Sequence, residues 1–289
     1  MSTDNMAEYF SGRKLFGDDF SSEDVMRWHE EERNAYYSLG EQTEHEYNYS
    51  YHSLNWTYGF KYLGSRYYHN ALGLGSAYAD EFLPILGQIE HLTIIEPAVG
   101  FTRTSIRDVQ VDYVEPTYDG TLFFPDSSFD LITCLGVLHH IPNVTHVVME
   151  LHRCLKKGGF LLLREPVVSM GDWRKPRAGL TKRERGIPER ILEEIILGSG
   201  LTIVKQSKCM FSLTSRLRLF MKGPVYNSKY VVMLDRIPSL LFSWNTKYHA
   251  TNPLHKLRPT SMFLVCSRQE FIGVCEIYDQ VICAPKELR

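Results

Sequence analysis

Residues 70–96 read NALGLGSAYADEFLPILGQIEHLTIIE, and their punctuation decides the fold. An apolar stretch running into Gly73 and Gly75 reads as a short strand that ends in a glycine turn. The spacing then predicts a helix from about Ala77 to Leu86 and a second strand over Leu92–Ile95, closed by Glu96. Glycines at such a turn take positive φ and let a ligand approach the backbone. A helix N-terminus offers unpaired N–H groups and partial positive charge. Glu96, 21 residues after Gly75, can accept both hydroxyl protons of a ribose. This is the layout of a nucleoside-cofactor site in an α/β sheet. The same turn also occurs in α/β proteins that bind nothing, so a second signal is needed.

Two nucleoside cofactors compete for this geometry. A dinucleotide fingerprint wants a small residue at its sixth place, where this chain has Tyr78. The small residue here is Ala77, two after Gly75, which suits an S-adenosylmethionine loop better.

Composition narrows the class. At 289 residues with 44% hydrophobic and 23% charged residues, the chain can bury one α/β core with additions. A net charge of −2 excludes a global field that would recruit nucleic acid or an acidic membrane, so any anion preference must come from a local patch. The first ten residues carry two acids and no apolar run, so no secretory signal is expected. No stretch approaches the ~20 apolar residues of a membrane span. The six cysteines (134, 154, 209, 266, 275, 283) form no C-x-x-C pair, which argues against a zinc knuckle or a disulfide framework. A cytoplasmic, reducing location is the expectation.

Residues 1–69 read as a helical cap. SSEDVMRWHEEERNAYYSL begins at Ser21/Ser22 with acids in its first turn, a helix-start signal. The aromatic-rich stretch that follows, 46–70, holds seven tyrosines with His52; the rings can pack on the sheet while hydroxyls and His52 line a pocket. Further strands are expected at 111–116, 129–137 and 160–166, with a helix between the last two, capped by Asn143 and by Gly158–Gly159. A helix and a strand (201–211), a helical insertion over 212–258 and a final strand (261–268) complete a domain spanning 70–270, with a tail at 271–289.

The run from Leu122 to Pro166, LFFPDSSFDLITCLGVLHHIPNVTHVVMELHRCLKKGGFLLLREP, resembles the centre of class I S-adenosylmethionine-dependent methyltransferases of type 11. The resemblance rests on Leu122–Asp130 before the fourth strand, Leu138–His140 at its end, and Leu155–Gly159 before the fifth. It implies a Rossmann-like, seven-stranded, mostly parallel α/β sheet with its last strand antiparallel, and S-adenosylmethionine over the first two strands. Carried over residue by residue, Gly73, Gly75 and Ala77 would face the methionine moiety and Glu96 the ribose. Asp119 would meet the adenine, and Leu135 and Gly136 would floor the site. The chain departs from the family at Ala71 (an acid is usual), Ala77, Phe123, Lys157 and Tyr118. The missing acid leaves open a non-catalytic scaffold, and an acceptor pocket built from the insertion would suit a small molecule of secondary metabolism.

A sulfonium methyl is already activated, so the enzyme chiefly aligns donor and acceptor and removes water. A hydroxyl acceptor profits from a general base. His140 and His139 are the first candidates, then Glu165 and Asp172. No metal site is expected, because neighbouring histidines in a strand point to opposite faces. From Arg164 to Arg190 the chain has eight cations against four acids, an excess that reads either as a solvated loop or as an anion site. On the second reading Arg164, Trp173, Arg174 and Arg177, with His52 from the cap, would bind the acceptor. The string also resembles methyltransferases of bacterial surface-polysaccharide pathways, which implies a saccharide or nucleotide-linked sugar acceptor.

Overall fold

The computed structural model describes residues 3–37, 47–98, 100–219, 221 and 223–269. The expected tail at 271–289, with Cys275 and Cys283, lies outside the described residues. Eight strands form one sheet in the order β3-β4-β2-β1-β5-β6-β8-β7. They are β1 (Tyr68–Leu74), β2 (Ile89–Ile95), β3 (Ser105–Ile106), β4 (Val109–Val114), β5 (Phe129–Leu135), β6 (Leu155–Pro166), β7 (Thr202–Phe211) and β8 (Pro259–Ser267). Strands β4, β2, β1, β5 and β6 pair in parallel, so their carboxyl ends share one edge. The last strand, β8, inserts antiparallel between β6 and β7. The two-residue β3, hooked antiparallel onto β4, is the one strand beyond the expected seven.

Alternation along the central strands supplies two faces. Leu161 and Leu163 look to one side, where α4 (Val144–Cys154) and α5 (Glu189–Gly198) pack; Leu162 looks to the other, toward α3 (His52–Tyr58) and α6 (Lys229–Leu241). All three leucines are fully buried. Two more helices, α1 (Thr3–Ser11) and α2 (Ser22–Tyr37), and the segment joining them bring Tyr9, Trp28 and Phe16 into a separate aromatic cluster with Trp173. Helix α2 starts as expected, with Ser21 Oγ accepting from the Asp24 N–H.

Three local expectations are corrected. The helix expected from Ala77 to Leu86 is a turn followed by a 3-10 run, Asp80–Gln88. Ala77 (φ 45°) and Ala79 (φ 62°) are left-handed, and Pro84 removes a backbone donor inside the run, so no α ladder forms. The glycines at 158–159 do not cap α4, which ends at Cys154; they lie inside β6, where a Cβ on Gly159 would meet Asp130 O at 2.9 Å. Asn143 sits at the start of α4 without capping it, because its Nδ2 donates to Asp119 O (2.6 Å) instead.

Candidate active site

A cavity of about 310 Å³ opens where the carboxyl ends of β1, β2, β4 and β5 meet. Gly75 and Ala77 wall it after β1, Glu96 after β2, Thr117, Tyr118 and Gly120 after β4, and Gly136, Val137 and His140 after β5. His29, Glu32 and Arg33 of α2 close it from the cap side. The glycine at 75 is required twice over. Its φ is +63°, and a Cβ there would sit 2.7 Å from Val137 Cγ2. Its N–H donates to Ile95 O (2.8 Å), which locks the turn to β2.

Glu96 is half-buried at the mouth of β2 and accepts from the N–H of Ala77 (2.9 Å) and of Ala98 (3.2 Å). Burial raises its pKa, against the pull of those two donors. The left-handed Ala77 is held on its other side by Tyr113, whose hydroxyl donates to Ala77 O (2.8 Å). A backbone in this region costs ~1 kcal/mol or more and persists only where neighbours fix it. The fit to a nucleoside cofactor is therefore good: a cradle that a Cβ would fill, beside a half-buried carboxylate with lone pairs to spare.

A second cavity of about 220 Å³ shares Gly75 and Tyr47 with the first. Its walls are Tyr47, Asn48, Tyr49, Ser50 and Tyr51, with Ser76, Glu81, Leu135 and Arg164. Arg164 donates to Asn55 Oδ1 (2.9 Å) and Leu135 O (3.1 Å), and its guanidinium lies 4.0 Å from the Tyr51 ring centroid. Glu81 accepts from Ser76 Oγ (2.9 Å) and from the Thr133 hydroxyl. Burial pushes its pKa up to about 7, although both hydroxyls oppose the shift.

The adjacent histidines part company. They sit in a 3-10 turn, Leu138–His140, not in a strand, and their ring centroids are 4.0 Å apart. His140 lines the first cavity, with Nδ1 3.2 Å from Glu32 Oε2. Burial lowers its pKa, so the ring is neutral near pH 7 and can take a proton. His139 lies behind it, with Nδ1 2.7 Å from Glu165 Oε2 and Nε2 3.5 Å from Glu184 Oε1. Burial alone would lower its pKa, but the two carboxylates outweigh burial and push it up to about 9. One donor atom each from His139, His140 and Glu184 falls within 4.8 Å of the others, which corrects the expectation that the two rings diverge.

The other expected residues separate by geometry. Gly75, Ala77, Glu96, Gly136 and His140 line the first cavity, and Leu135 and Arg164 the second. Gly73 lines neither; a Cβ there would collide with Ser76 Oγ, Ile94 and Phe82, so it is a packing glycine. Asp119 turns into its own loop to accept from Thr121 N (3.1 Å), leaving Thr117, Tyr118 and Gly120 at the wall. Glu165 is occupied by the N–H groups of Val137, Leu138 and His139 and orients the turn. His52 flanks Tyr49 (4.9 Å between centroids) without reaching the cavity wall.

The 164–190 loop is corrected as an anion site. Asp172 is spent on Arg174, which drives its pKa down to about 2. Trp173 is stacked between Phe10 (4.5 Å) and Phe16 (5.1 Å). Arg177 donates to the carbonyls of Met170 and Thr181, and Arg183 pairs with Glu31. Arg185, fully buried, donates to the carbonyls of Phe16, Leu138, His139, Ile141 and Pro142. Sequence reasoning missed Arg185, Glu81 and the α2 residues. The one signal for Glu81 was an acid placed immediately before the apolar run FLPIL.

Comparison with known proteins agrees with this geometry. Residues 71–163 match the type 11 family described as a methyltransferase domain. A ubiquinone biosynthesis O-methyltransferase of Xanthomonas oryzae pv. oryzae is 38% identical over 55 residues, 19% of this chain and 23% of that protein. An uncharacterized methyltransferase of Bacillus subtilis, YcgJ, is 49% identical over 43 residues, 15% of this chain and 17% of that one. The chain thus spans less than a quarter of the curated relatives it matches. The crystal structure of YcgJ aligns at 17% identity with a TM-score of 0.46, covering 76% of this chain and 99% of that chain. Over residues 71–163 the chain matches a methyltransferase-domain family, and the cofactor that match implies is S-adenosylmethionine.

Proposed function

We propose that the chain transfers a methyl group from S-adenosylmethionine to a hydroxyl of a small polar acceptor, a saccharide or nucleotide-linked sugar. The observation that carries this reading is the pair of cavities joined at Gly75, one suited to the cofactor and one to the acceptor. The bound cofactor supplies an electrophilic sulfonium methyl. Gly75 and Ala77 give it backbone to lie on, and Glu96 accepts from the ribose hydroxyls. The tyrosines at 47, 49 and 51 offer flat faces and hydroxyls to a sugar ring, and Glu81 and Arg164 give that pocket a polar end. His140, neutral and at the wall of the first cavity, takes the proton from an acceptor hydroxyl that reaches past Gly75 toward the sulfonium methyl. Glu165 and Arg185 hold the turn that presents it.

A phenolic acceptor is the second reading. It is favoured by the aromatic wall and by the 55-residue similarity to a ubiquinone biosynthesis O-methyltransferase. Calorimetric titration with S-adenosylhomocysteine, with NADH as control, tests the cofactor; micromolar binding of the first alone is expected. Absence of binding would overturn the enzyme reading in favour of a scaffold. Transfer of a labelled methyl group to sugar or to phenol acceptors then decides between the two substrates.

A further inference from the structure

Helix α6 is amphipathic the wrong way round. Toward the body it presents Val231, Val232, Asp235 and Ser239, all buried. Asp235 accepts from the N–H groups of Met210 (2.9 Å) and Phe211 (2.8 Å), and Ser239 donates to it (3.2 Å). The polar stripe is thus used up inside. Toward solvent the helix and its C-terminal extension present Tyr230 (68% exposed), Met233 (65%), Leu234 (63%), Ile237 (59%), Leu240 (71%) and Trp244 (74%). A soluble surface helix does the opposite. With Leu241 (65%) they make seven large exposed apolar side chains in one run, and a contiguous apolar patch of this kind marks an interaction surface.

The charge around this face says what covers it. From Ser212 to Arg258 the sequence has eight cations (Arg216, Arg218, Lys222, Lys229, Arg236, Lys247, Lys256, Arg258) and one acid, the buried Asp235. Lys229, Arg236, Lys247 and Lys256 are exposed around the apolar residues. A segment of +7 in a chain of net −2 is a strong local asymmetry. A symmetric dimer through this face would set two such segments against each other, and like charges oppose that pairing. An anionic lipid surface satisfies both features: acyl chains take the leucines, isoleucine and tryptophan, and headgroups take the cations.

We propose that α6 docks the protein on an anionic bilayer surface, lying in the plane of the interface without crossing it. Among the described residues no helix is long and apolar enough to span a membrane, which is consistent with surface docking. The face is also coupled to the second cavity. Asn227, just before α6, accepts from the N–H of His52 (2.8 Å) and donates to Tyr49 O (2.6 Å), fastening the insertion to the tyrosine wall.

The test is sedimentation of the full-length protein with sucrose-loaded vesicles, of phosphatidylcholine alone or with phosphatidylglycerol added. Binding is expected to the anionic vesicles only, to weaken severalfold from 0.1 to 0.5 M salt, and to fall at least tenfold in Leu234→Glu/Leu240→Glu. Lys229→Glu/Arg236→Glu should lose the anionic preference while keeping the apolar face. Thermal melting and S-adenosylhomocysteine titration of each variant check that it still folds, so failure here is separable from failure of the enzyme reading. Equal sedimentation with neutral and anionic vesicles, or none with either, overturns the proposal. So does a dimer, seen by analytical ultracentrifugation, that the leucine variant dissolves, which would give the face to a second copy.

Discussion

The two cavities meet at Gly75 yet are built by opposite means. The cradle of the first is backbone, a left-handed glycine at 75 and the turn to Ala77 with one carboxylate at a strand end, although α2 side chains close it from the cap side. The second is mostly side chains, delivered by segments far apart in sequence: tyrosines from 47–51, Glu81 from the 3-10 run and Arg164 from β6. A backbone cradle is specified by a few residues of fixed spacing. A side-chain pocket depends on which distant segments the fold happens to bring over it. The first can be read from local pattern; the second needs the folded chain.

That contrast can be broken first at its hinge. Gly75→Arg puts a Cβ 2.7 Å from Val137 Cγ2 at a φ of +63° and fills the cradle. S-adenosylhomocysteine affinity should drop beyond detection while circular dichroism stays native; unchanged affinity would remove the cofactor from this cavity. The next largest effect belongs to Arg185. Arg185→Ala removes the side-chain donor from five carbonyls; Leu138, His139 and Pro142 keep a backbone N–H, while Phe16 and Ile141 lose the guanidinium that bonded them. A buried carbonyl left without a donor costs about 1–3 kcal/mol, visible in urea unfolding. Arg185→Lys, with three donors, should recover only part of it. Full stability in the alanine variant would deny that this loop organises the histidine turn.

How legible each part was follows from the same physics. The strand–glycine–strand–acid pattern and the L-H-H and F-D segments are local, and they located β1, β2, β5 and the first cavity. The structure type after Gly75 was not legible, because left-handed alanines at 77 and 79 follow no local preference; Glu96 and Tyr113 impose one of them through tertiary bonds. The 164–190 cations were countable, but their partners were not. Glu31, Phe10 and a row of carbonyls come from the N-terminal helices and from the turn after β5. Adjacent His139 and His140 were read as strand residues; a 3-10 turn brings both rings to one side.

Glu81 sharpens the contrast from the acceptor side. Its folded-state pKa, about 7, lies above the ordinary carboxylate value because burial disfavours the charge. A raised carboxyl favours folding most at acid pH, and that contribution fades as pH rises through about 7. In the second cavity the same ionisation changes what the pocket can donate or accept. The KM for acceptor should therefore shift severalfold across pH 6–8, and Glu81→Gln should flatten that shift while leaving the cofactor's KM unchanged. An identical profile in the variant would place the titration elsewhere.

The smallest effect is the most diagnostic of how the 164–190 loop is used. Arg174 is mostly exposed, pairs with Asp172 at 2.8 Å and lies 5.2 Å from the Phe10 ring. An exposed pair of this kind adds little to stability, and its ring contact lies in the aromatic cluster with Trp173, not in either cavity. Arg174→Ala should lower the melting temperature by only a few degrees and leave the acceptor KM within twofold. A tenfold rise in that KM would return the loop to the acceptor site and require it to swing over the tyrosine wall during turnover.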